Sequence, residues 1–223
     1  EADRILGDAP STLRLMLPEM YLDKPGEAER IAAINATMDR YMADGTLESR
    51  GEGFVFVRRT VDGKTRSGLV VALDLEQYDY SRGSETLIRA SEGTIVERIP
   101  PRLRIRKDAA LELPHILVLI DDPQHTVIEP LADATTAENR LYDFELMLGG
   151  GHIEGDMVRD VGRIQGALRA LEALADPARF VEQYGADKKP MLFAMGDGNH
   201  SFATAKANWE ALKQTLSPAE QEN

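Results

Sequence analysis

The stretch GDGNHS, residues 196–201, gathers small polar groups between an apolar segment and a segment with helical spacing. A strand that ends in glycines and opens into a helix exposes unpaired backbone N–H groups, and the helix dipole adds partial positive charge at the same place. The glycines let the backbone approach a ligand closely, while Asn199, His200 and Ser201 add side-chain donors. The stretch therefore predicts an anion site, in particular for a phosphate.

Asp197 is unexpected in such a site because a carboxylate repels a phosphate. It fits if it binds Mg²⁺, caps the helix or orients a neighbouring group. The spacing is not that of the Walker phosphate loop. On local grounds alone, the alternative is an ordinary capped turn in which Asp197 or Asn199 caps the helix.

A basic segment supplies the opposite charge that a phosphate would need. The chain has a formal net charge of −12, yet residues 82–107 hold seven basic residues against three acidic ones, a local net charge of +4. We expect arginines of this segment to converge on the GDGNHS turn. The alternative is that they pair with the surplus carboxylates around them, as ion-pair networks commonly do.

Composition limits the other classes of function. The 223 residues are 43% hydrophobic and 29% charged, as in soluble globular proteins, and no apolar run reaches the length of about 20 residues that spans a bilayer. A chain this acidic is a poor general binder of nucleic acid or anionic membrane. We therefore expect neither as a partner. The sequence has no cysteine, which excludes thiolate chemistry and fits the cytoplasm, where we place the protein.

The elements that must position these residues alternate irregularly between strand and helix. A hairpin is predicted around Asp62-Gly63, and strands are predicted for HILVLI, HTVIEPL, LYDFELML and KPMLFAM. Helices are predicted from residue 27 to Gly45, from Asp156 as N-cap through LEALADP, for PARFVEQYG and for SFATAKANWEALKQTL. We therefore expect an α+β fold in which helices flank a mixed sheet.

Several runs resemble a bacterial family catalogued as domain of unknown function 1015. The runs are GLVVALDLEQYDY, LIRASEGTIVERIPPR, LELPHILVLIDDP, LYDFELMLGGGHIEG and GDGNHSFATAK. EGTIVERIPPR and GDGNHS are the most specific, and the resemblance spans residues 53 to 210. It implies a single α+β domain over residues 1–223 that forms the N-terminal portion of a longer protein.

The family in turn distantly resembles the ParB and sulfiredoxin superfamily, which includes CTP-binding partition proteins, sulfiredoxin and an ADP-dependent free serine kinase. A sister branch has Asp-Gly-His-His-Arg at residues 197–201, and that motif is similar to the superfamily's phosphate-binding signature. The resemblance implies a ParB/sulfiredoxin-like core around a strand-turn-helix at residues 190–215. It also implies that residues 196–200 line a nucleotide phosphate.

This chain departs from the superfamily pattern at one informative position. Ser201 stands where the motif has Arg, so that phosphate contact must come from elsewhere, and we expect it from the basic segment. The sulfiredoxin cysteine has no counterpart. Glu92, which lies among the basic residues, is the acid we expect to act as general base, because the serine kinase uses a glutamate.

The first functional hypothesis is therefore an enzyme that binds a nucleotide or small phosphorylated metabolite with Mg²⁺ and performs phosphoryl transfer or hydrolysis. The catalytic residues are Glu92, Asp197 and His200, with Asp197 also the metal ligand. The residues assigned to phosphate are Gly196, Gly198, Asn199, Ser201, Arg89, Arg98, Arg102 and Lys206. The alternatives are a non-catalytic, nucleotide-responsive binding module and a vestigial member that keeps the turn without the chemistry, which Ser201 favours.

Two further groups of residues could also do chemistry. GGGHIEG, residues 149–155, could form a second phosphate loop, but a flexible connection with His152 and Glu154 as exposed loop residues is favoured. Asp121 and Asp122 end a predicted strand, where acids often reach a cleft. They could hold a metal, although a strand-to-turn stop before the next proline is favoured.

Overall fold

The computed structural model describes residues 2–113 and 116–221, and these form two four-stranded sheets together with α-helices. The predicted α+β class is confirmed. Residues 114 and 115, where the predicted strand HILVLI begins, lie outside the described residues. Within the described part of the chain, no helix has both the length and the apolar character that membrane crossing requires.

The strands are short and are spread over the whole chain. In chain order they are β1 (Phe54–Val61), β2 (Lys64–Val70), β3 (Tyr78–Asp79), β4 (Ile88–Arg89), β5 (Leu117–Leu119), β6 (Arg140–Glu145), β7 (His152–Val158) and β8 (Phe193–Asp197). The first sheet has the order β2-β1-β7-β6 with every pair antiparallel, and we call it the antiparallel sheet. The second has the order β3-β4-β8-β5 and is the mixed sheet.

The predicted hairpin is confirmed as the β1–β2 pair. Val61 pairs with Lys64, which leaves Asp62 and Gly63 as the two-residue turn. Both have positive φ, 50° and 72°. This is the type I′ geometry that follows the twist of the strands and favours Asn or Asp before Gly.

The mixed sheet determines where the GDGNHS turn lies. Strands β3, β4 and β8 run parallel to one another, and β5 is antiparallel to β8. The carboxyl ends of the three parallel strands therefore meet at one edge of the sheet. In sheets of this kind, ligands bind in the crevice outside that edge.

The helices connect the strands and cover the sheets. They are α1 (Ala2–Leu6), α2 (Glu27–Ala43), α3 (Ile99–Arg106), α4 (Val161–Leu174), α5 (Pro177–Tyr184), α6 (Asn199–Lys213) and α7 (Pro218–Gln221). Short 3-10 segments occur at Thr12–Leu15, Glu19–Tyr21, Leu75–Gln77, Val96–Arg98, Glu129–Ala134 and Met147–Gly149. The predicted helices that end before Gly45 and at Gly185 correspond to α2 and α5.

Apolar side chains form separate clusters among the described residues. The cluster under the mixed sheet joins Tyr78, Ile88, Met195 and Phe202, so β3, β4, β8 and α6 share one core. A second cluster packs α4 and the Glu129–Ala134 segment on the antiparallel sheet around Phe56. The start of α6 is therefore fixed by packing just beyond the polar turn.

The structure corrects the predicted start of one helix. The helix predicted from Asp156 starts only at Val161, with the Asp160 carboxylate as the N-cap that accepts the Arg163 N–H. Asp156 instead lies in β7, because the segment 152–158 pairs with β1 on one side and β6 on the other.

One other local prediction needs correction. The strand predicted for HTVIEPL does not form. Its start is held in a turn by the Asp122 carboxylate, which accepts the N–H groups of Thr126 and Val127, and its end lies in the 3-10 segment. The Pro100-Pro101 pair occupies the first turn of α3, where proline is tolerated because it lacks only an N–H that would be unpaired.

Candidate anion-binding site

The GDGNHS turn lies at the carboxyl edge of the mixed sheet. Strand β8 ends at Asp197, Gly198 turns the chain with φ 86°, and α6 begins at Asn199. This left-handed conformation is one that glycine adopts without strain, which explains the residue at this position. The predicted strand-turn-helix is confirmed as a local structure.

The first turn of α6 has free backbone donors. The helix has no side-chain cap and no acidic residue in its first turn. The first backbone acceptor, the Gly198 carbonyl, takes the Phe202 N–H at 2.9 Å, so the N–H groups of residues 199–201 have no acceptor within the helix. No other described residue accepts from them. With the helix dipole, they form a donor group suited to an anion.

Asn199 adds a buried polar group that the protein leaves unpaired. Asn199 is 4% exposed, and its Oδ1 has no hydrogen-bond partner among the described residues. Its Nδ2 lies 3.5 Å from the Ser91 Oγ, a long contact. Buried polar atoms without partners are uncommon, and one at the start of an uncapped helix indicates a place for a water, ion or ligand.

The loop after β4 lies against the start of α6. Besides Ser91, the backbone N–H of Ile95 donates to the His200 Nε2 at 3.1 Å. For Nε2 to accept, the neutral ring must carry its proton on Nδ1, so His200 keeps one ring donor for a ligand. Glu92 lies in this same loop, between the two contacts, with an exposed side chain.

The same region contains two more buried hydroxyls without partners of normal geometry among the described residues, those of Tyr78 and Thr94. Tyr78 ends up 1% exposed in the core of the mixed sheet. Its burial raises the pKa of its hydroxyl to about 12. Tyr78 therefore stays a neutral hydrogen-bond donor. Three of the five buried side-chain atoms without a hydrogen bond among the described residues, those of Tyr78, Thr94 and Asn199, lie at β3, the loop after β4 and the start of α6.

Arg106 reaches the turn although it was not among the predicted site residues. Its Nη1 donates to the Ser201 carbonyl at 2.6 Å, and its other nitrogens pair with Glu112. This guanidinium lies beside the first turn of α6, where the Glu112 carboxylate balances its charge. Arg98 is exposed and has no ion pair among the described residues. It lies three positions beyond Ile95, in the segment that contacts His200.

The structure directs two other predicted arginines away from the turn. The Arg89 guanidinium donates, at 2.6 to 3.2 Å, to backbone carbonyls that precede β4 and β8, those of Glu85, Thr86, Lys189 and Pro190. Those segments lie at the opposite edge of the sheet. Arg102 donates to the Arg98 carbonyl and lies 3.5 Å from Glu19. The predicted convergence therefore applies to Arg106 and not to Arg89 or Arg102.

Lys206 lies at a different place on α6. Its Nζ pairs with Glu210 at 2.7 Å and Glu76 at 3.7 Å, at a cavity of about 380 Å³ beside β3. Hydrogen bonds from Ser81, together with the nearby Lys206, hold the pKa of Asp79 in this cavity below its usual value. The structure thus does not bring Lys206 to the backbone donors of residues 199–201.

Asp197 is exposed at the turn, and its Oδ1 accepts the Gly198 N–H at 2.8 Å. Its Oδ2 has no partner among the described residues. A hard cation such as Mg²⁺ prefers an exposed carboxylate oxygen together with phosphate oxygens and water. Asp197 therefore fits a role in holding a phosphate-bound Mg²⁺.

Sequence reasoning found the turn but missed its partners. Ser91, the Ile95 N–H and Arg106 all come from segments about 100 positions earlier in the chain, separated from the turn by 108, 105 and 95 residues. The specific run EGTIVERIPPR was the available signal for Ile95. It marked the segment without showing which atoms reach His200.

The contacts of Asp121 and Asp122 agree with the favoured interpretation, a strand-to-turn stop. Asp121 accepts hydrogen bonds from Tyr184 and Gln183, and Asp122 closes the turn that follows β5. His152 and Glu154, interpreted as exposed loop residues, instead lie partly buried in β7. Their regular i, i+2 spacing was the signal for a strand face.

Comparison with known proteins places the whole chain in one family. A family model described as "Protein of unknown function (DUF1015)" matches residues 1–223. No curated protein matches the chain, and no solved structure matches it.

Proposed function

The chain belongs to the DUF1015 family, and from this premise we propose that it is an enzyme acting on a nucleotide or small phosphorylated metabolite. The proposed reaction is phosphoryl transfer to a small acceptor, or hydrolysis, with Mg²⁺. The observation that carries the proposal is the uncapped start of α6 beside the buried, unpaired Asn199 Oδ1. The N–H groups there favour an anion, and the unpaired amide oxygen calls for a further donor from a ligand or its bound water.

Each group at the turn has a role in this proposal. The N–H groups of residues 199–201 hold phosphate oxygens, and Arg98 adds a cation that no described residue pairs. Asp197 binds Mg²⁺, which supplies charge neutralisation at the phosphate. His200 donates from Nδ1. These groups act mainly by positioning and by stabilising charge, which carry most of the rate in phosphoryl transfer.

Glu92 is the proposed general base. Its carboxylate takes the proton of the acceptor hydroxyl as that oxygen forms a bond to phosphorus, while the bond from phosphorus to the leaving oxygen breaks. Support comes from its place in the loop that contacts α6 through Ser91 and Ile95. In hydrolysis, water takes the place of the acceptor hydroxyl.

Sequence resemblance supports a nucleotide as the phosphate source. Residues 197–201 resemble the phosphate-binding signature of the ParB and sulfiredoxin superfamily, which includes a nucleotide-dependent kinase. We propose a related core around β8 and α6. Ser201 lacks the arginine of that signature, and Arg106 at the Ser201 carbonyl provides a guanidinium in the same first turn.

A second candidate function is a nucleotide-responsive binding module. The contact from Ile95 to His200 favours it, because a ligand at His200 would also act on the loop that leads into α3. Such a module would bind ligand tightly while consuming it slowly. Turnover therefore separates the two functions.

The test is a thermal-shift screen of the purified protein against nucleoside mono-, di- and triphosphates, with and without Mg²⁺. A ligand at about 100 times its Kd stabilises the folded state by about 2.7 kcal/mol, so a specific nucleotide should raise the Tm by several degrees. Nucleotide consumption is then measured with small hydroxyl-bearing acceptors.

Matched variants show whether a thermal shift or turnover depends on the proposed site. Asp197→Ala and His200→Ala should abolish turnover without unfolding the protein, and His200→Ala should also remove the thermal shift. Asp187→Ala and His125→Ala, which change exposed residues elsewhere, should behave as wild type. A shift without turnover would favour the binding module, and no shift with any nucleotide in folded protein would contradict both functions.

A further inference from the structure

A separate polar cluster lies on one face of the antiparallel sheet. Successive residues of β7 on that face are His152, Glu154 and Asp156. The strand register places Arg58 of β1 opposite Glu154, and the neighbouring strand β6 contributes Arg140, Asp143 and Glu145. Because side chains alternate along a strand, this arrangement brings charged groups from three strands together.

Two arginines bind the inner part of the cluster. The Arg140 Nε donates to the Asp156 Oδ1 at 2.7 Å, and its Nη1 donates to the Glu154 Oε1 at 3.0 Å. The Arg58 Nε donates to the Glu154 Oε2 at 2.8 Å. The hydrogen bond with Asp156 is the main reason that the pKa of Arg140 lies above its usual value. Both guanidinium groups are therefore already committed.

The cluster nevertheless has more negative than positive charge. Its carboxylates are those of Asp143, Glu145, Glu154 and Asp156, so four negative groups face two guanidinium groups, for a net charge of −2 with neutral His152. Asp156 is 1% exposed, and its Oδ2 has no hydrogen-bond partner among the described residues. The Arg58 Nη2 lies 3.6 Å from this oxygen. A buried carboxylate oxygen without a hydrogen bond is uncommon and indicates a place for a water or a cation.

The outer part of the cluster has the geometry of a metal-binding histidine. The His152 Nε2 lies 2.9 Å from the Asp143 Oδ1, and its Nδ1 lies 2.8 Å from the Glu145 Oε1. One ligand atom from each of Asp143, His152 and Glu154 lies within 4.8 Å of the others. In metal sites the nitrogen that does not bind the ion donates to a carboxylate, which is the position of Glu145 here.

We propose that Asp143, His152 and Glu154 bind one divalent transition-metal ion, with Glu145 orienting the imidazole. One nitrogen and two carboxylate oxygens suit Zn²⁺, Co²⁺ or Mn²⁺ better than Ca²⁺ or Mg²⁺, which prefer oxygen alone. The 2.9 Å between the His152 and Asp143 ligand atoms is near the spacing of two ligands about 90° apart on one ion with bonds of about 2.1 Å. The ion also balances the excess charge of the cluster, and water completes its coordination.

The test is isothermal titration of the chelator-treated protein with ZnCl₂ in a non-coordinating buffer. Wild type should bind one Zn²⁺ per chain, and His152→Ala should weaken that binding by well over tenfold. His125→Ala is the matched control, because His125 also pairs through Nδ1 with an exposed glutamate, Glu129, at 2.8 Å. It should bind Zn²⁺ as wild type does.

Two further variants keep the test decisive if His152→Ala is unstable. Asp143→Asn should weaken binding strongly, and Glu145→Gln should weaken it by about tenfold because it loosens the histidine. Co²⁺ bound at the site should give visible absorption that Asp143→Asn removes. Wild-type protein that binds no Zn²⁺, or variants at residues 143 and 152 that bind it as wild type does, would overturn the proposal.

Discussion

The two sheets of this protein present opposite chemistry from different kinds of atoms. On the antiparallel sheet, side chains from three strands form an ion-pair network that still has more carboxylates than cations. At the carboxyl edge of the mixed sheet, the available groups are backbone N–H groups at the start of α6, with the unpaired Asn199 amide oxygen, the Asp197 carboxylate and the Arg106 guanidinium around them. The first region favours a cation and the second favours an anion.

The difference follows from sheet topology. An antiparallel ladder fixes side chains directly across from one another, so charge on its surface depends on residue type and register. A parallel strand that leads into a helix adds a dipole and unpaired donors regardless of most side chains. The proposed anion site at the mixed sheet therefore depends on backbone conformation, and the proposed metal site at the antiparallel sheet depends on individual charged residues.

Asp156→Ala should have the largest effect on stability, because it leaves Arg140 without its buried partner. Because Arg140 keeps Asp143 and Glu154 as partners, the expected cost is that of a lost hydrogen bond between charged groups, about 2–3 kcal/mol. Urea denaturation should show that loss in the free energy of unfolding. Glu145→Ala, at the exposed rim of the same cluster, should cost less than about 1 kcal/mol. Equal losses from the two variants would show that the network has no buried centre.

Gly155→Ala should have the next largest effect, because an added Cβ would overlap the Tyr142 ring. Overpacking of this kind costs about 2 kcal/mol and would disturb the β6–β7 register that assembles the cluster. Gly68→Ala in β2 is the control, since its Cβ would meet nothing within 4 Å. The pair is compared by thermal denaturation, and a similar Tm for both would contradict the described register.

Gly198→Ala tests whether the backbone conformation of the turn forms the proposed anion site at the mixed sheet. At φ 86° an alanine is strained, and the expected loss is about 1 kcal/mol together with weaker nucleotide binding. Gly166→Ala, in the interior of α4 with open space around it, should instead stabilise by about 0.5–1 kcal/mol. If Gly198→Ala binds nucleotide as wild type does, the turn conformation is not what forms the site.

The smallest expected effect concerns an ion pair of the mixed-sheet region away from the turn. Hydrogen bonds from Lys213 and then Trp209 lower the pKa of Glu76 from 4.5 to about 2. Because the folded-state pKa is depressed, this stabilisation is present above about pH 4.5 and is lost as the pH falls towards 2. The Tm difference between wild type and Glu76→Gln should therefore shrink as the pH is lowered from about 6 to about 3.

Trp209 provides the readout for that comparison, since it is the only tryptophan of the chain and donates to Glu76 at 2.5 Å. Its fluorescence follows unfolding and reports the local contact. A Tm difference that is the same at every pH would mean that the Glu76 contacts contribute nothing through charge.

The sequence predicted the elements whose signals are local. Asp62-Gly63 specified the hairpin, Gly185 ended α5, and the GDGNHS stretch marked the passage from β8 to α6. These signals depend on the conformations available to glycine and on short-range hydrogen bonds. They need no information about distant segments.

Long-range pairing determined what the sequence did not predict. Asp156 has the residue type of a helix N-cap, but pairing with β1 and β6 placed it in a strand. Arg89 belongs to the basic segment, but nearby carbonyls at the opposite edge of the sheet bind its guanidinium. The composition of the segment includes the positive charge of Arg89 but does not show which way its side chain points.

The most direct test of the anion site follows the backbone amides themselves. Isotope-labelled protein is titrated with inorganic phosphate and then with the nucleotide that gives the largest thermal shift, with Mg²⁺, and the amide NMR signals are recorded. The signals of Asn199, His200 and Ser201 should move most and saturate together, while those of β7 stay in place. Signals of these three residues that do not move at saturating ligand would contradict the proposed site.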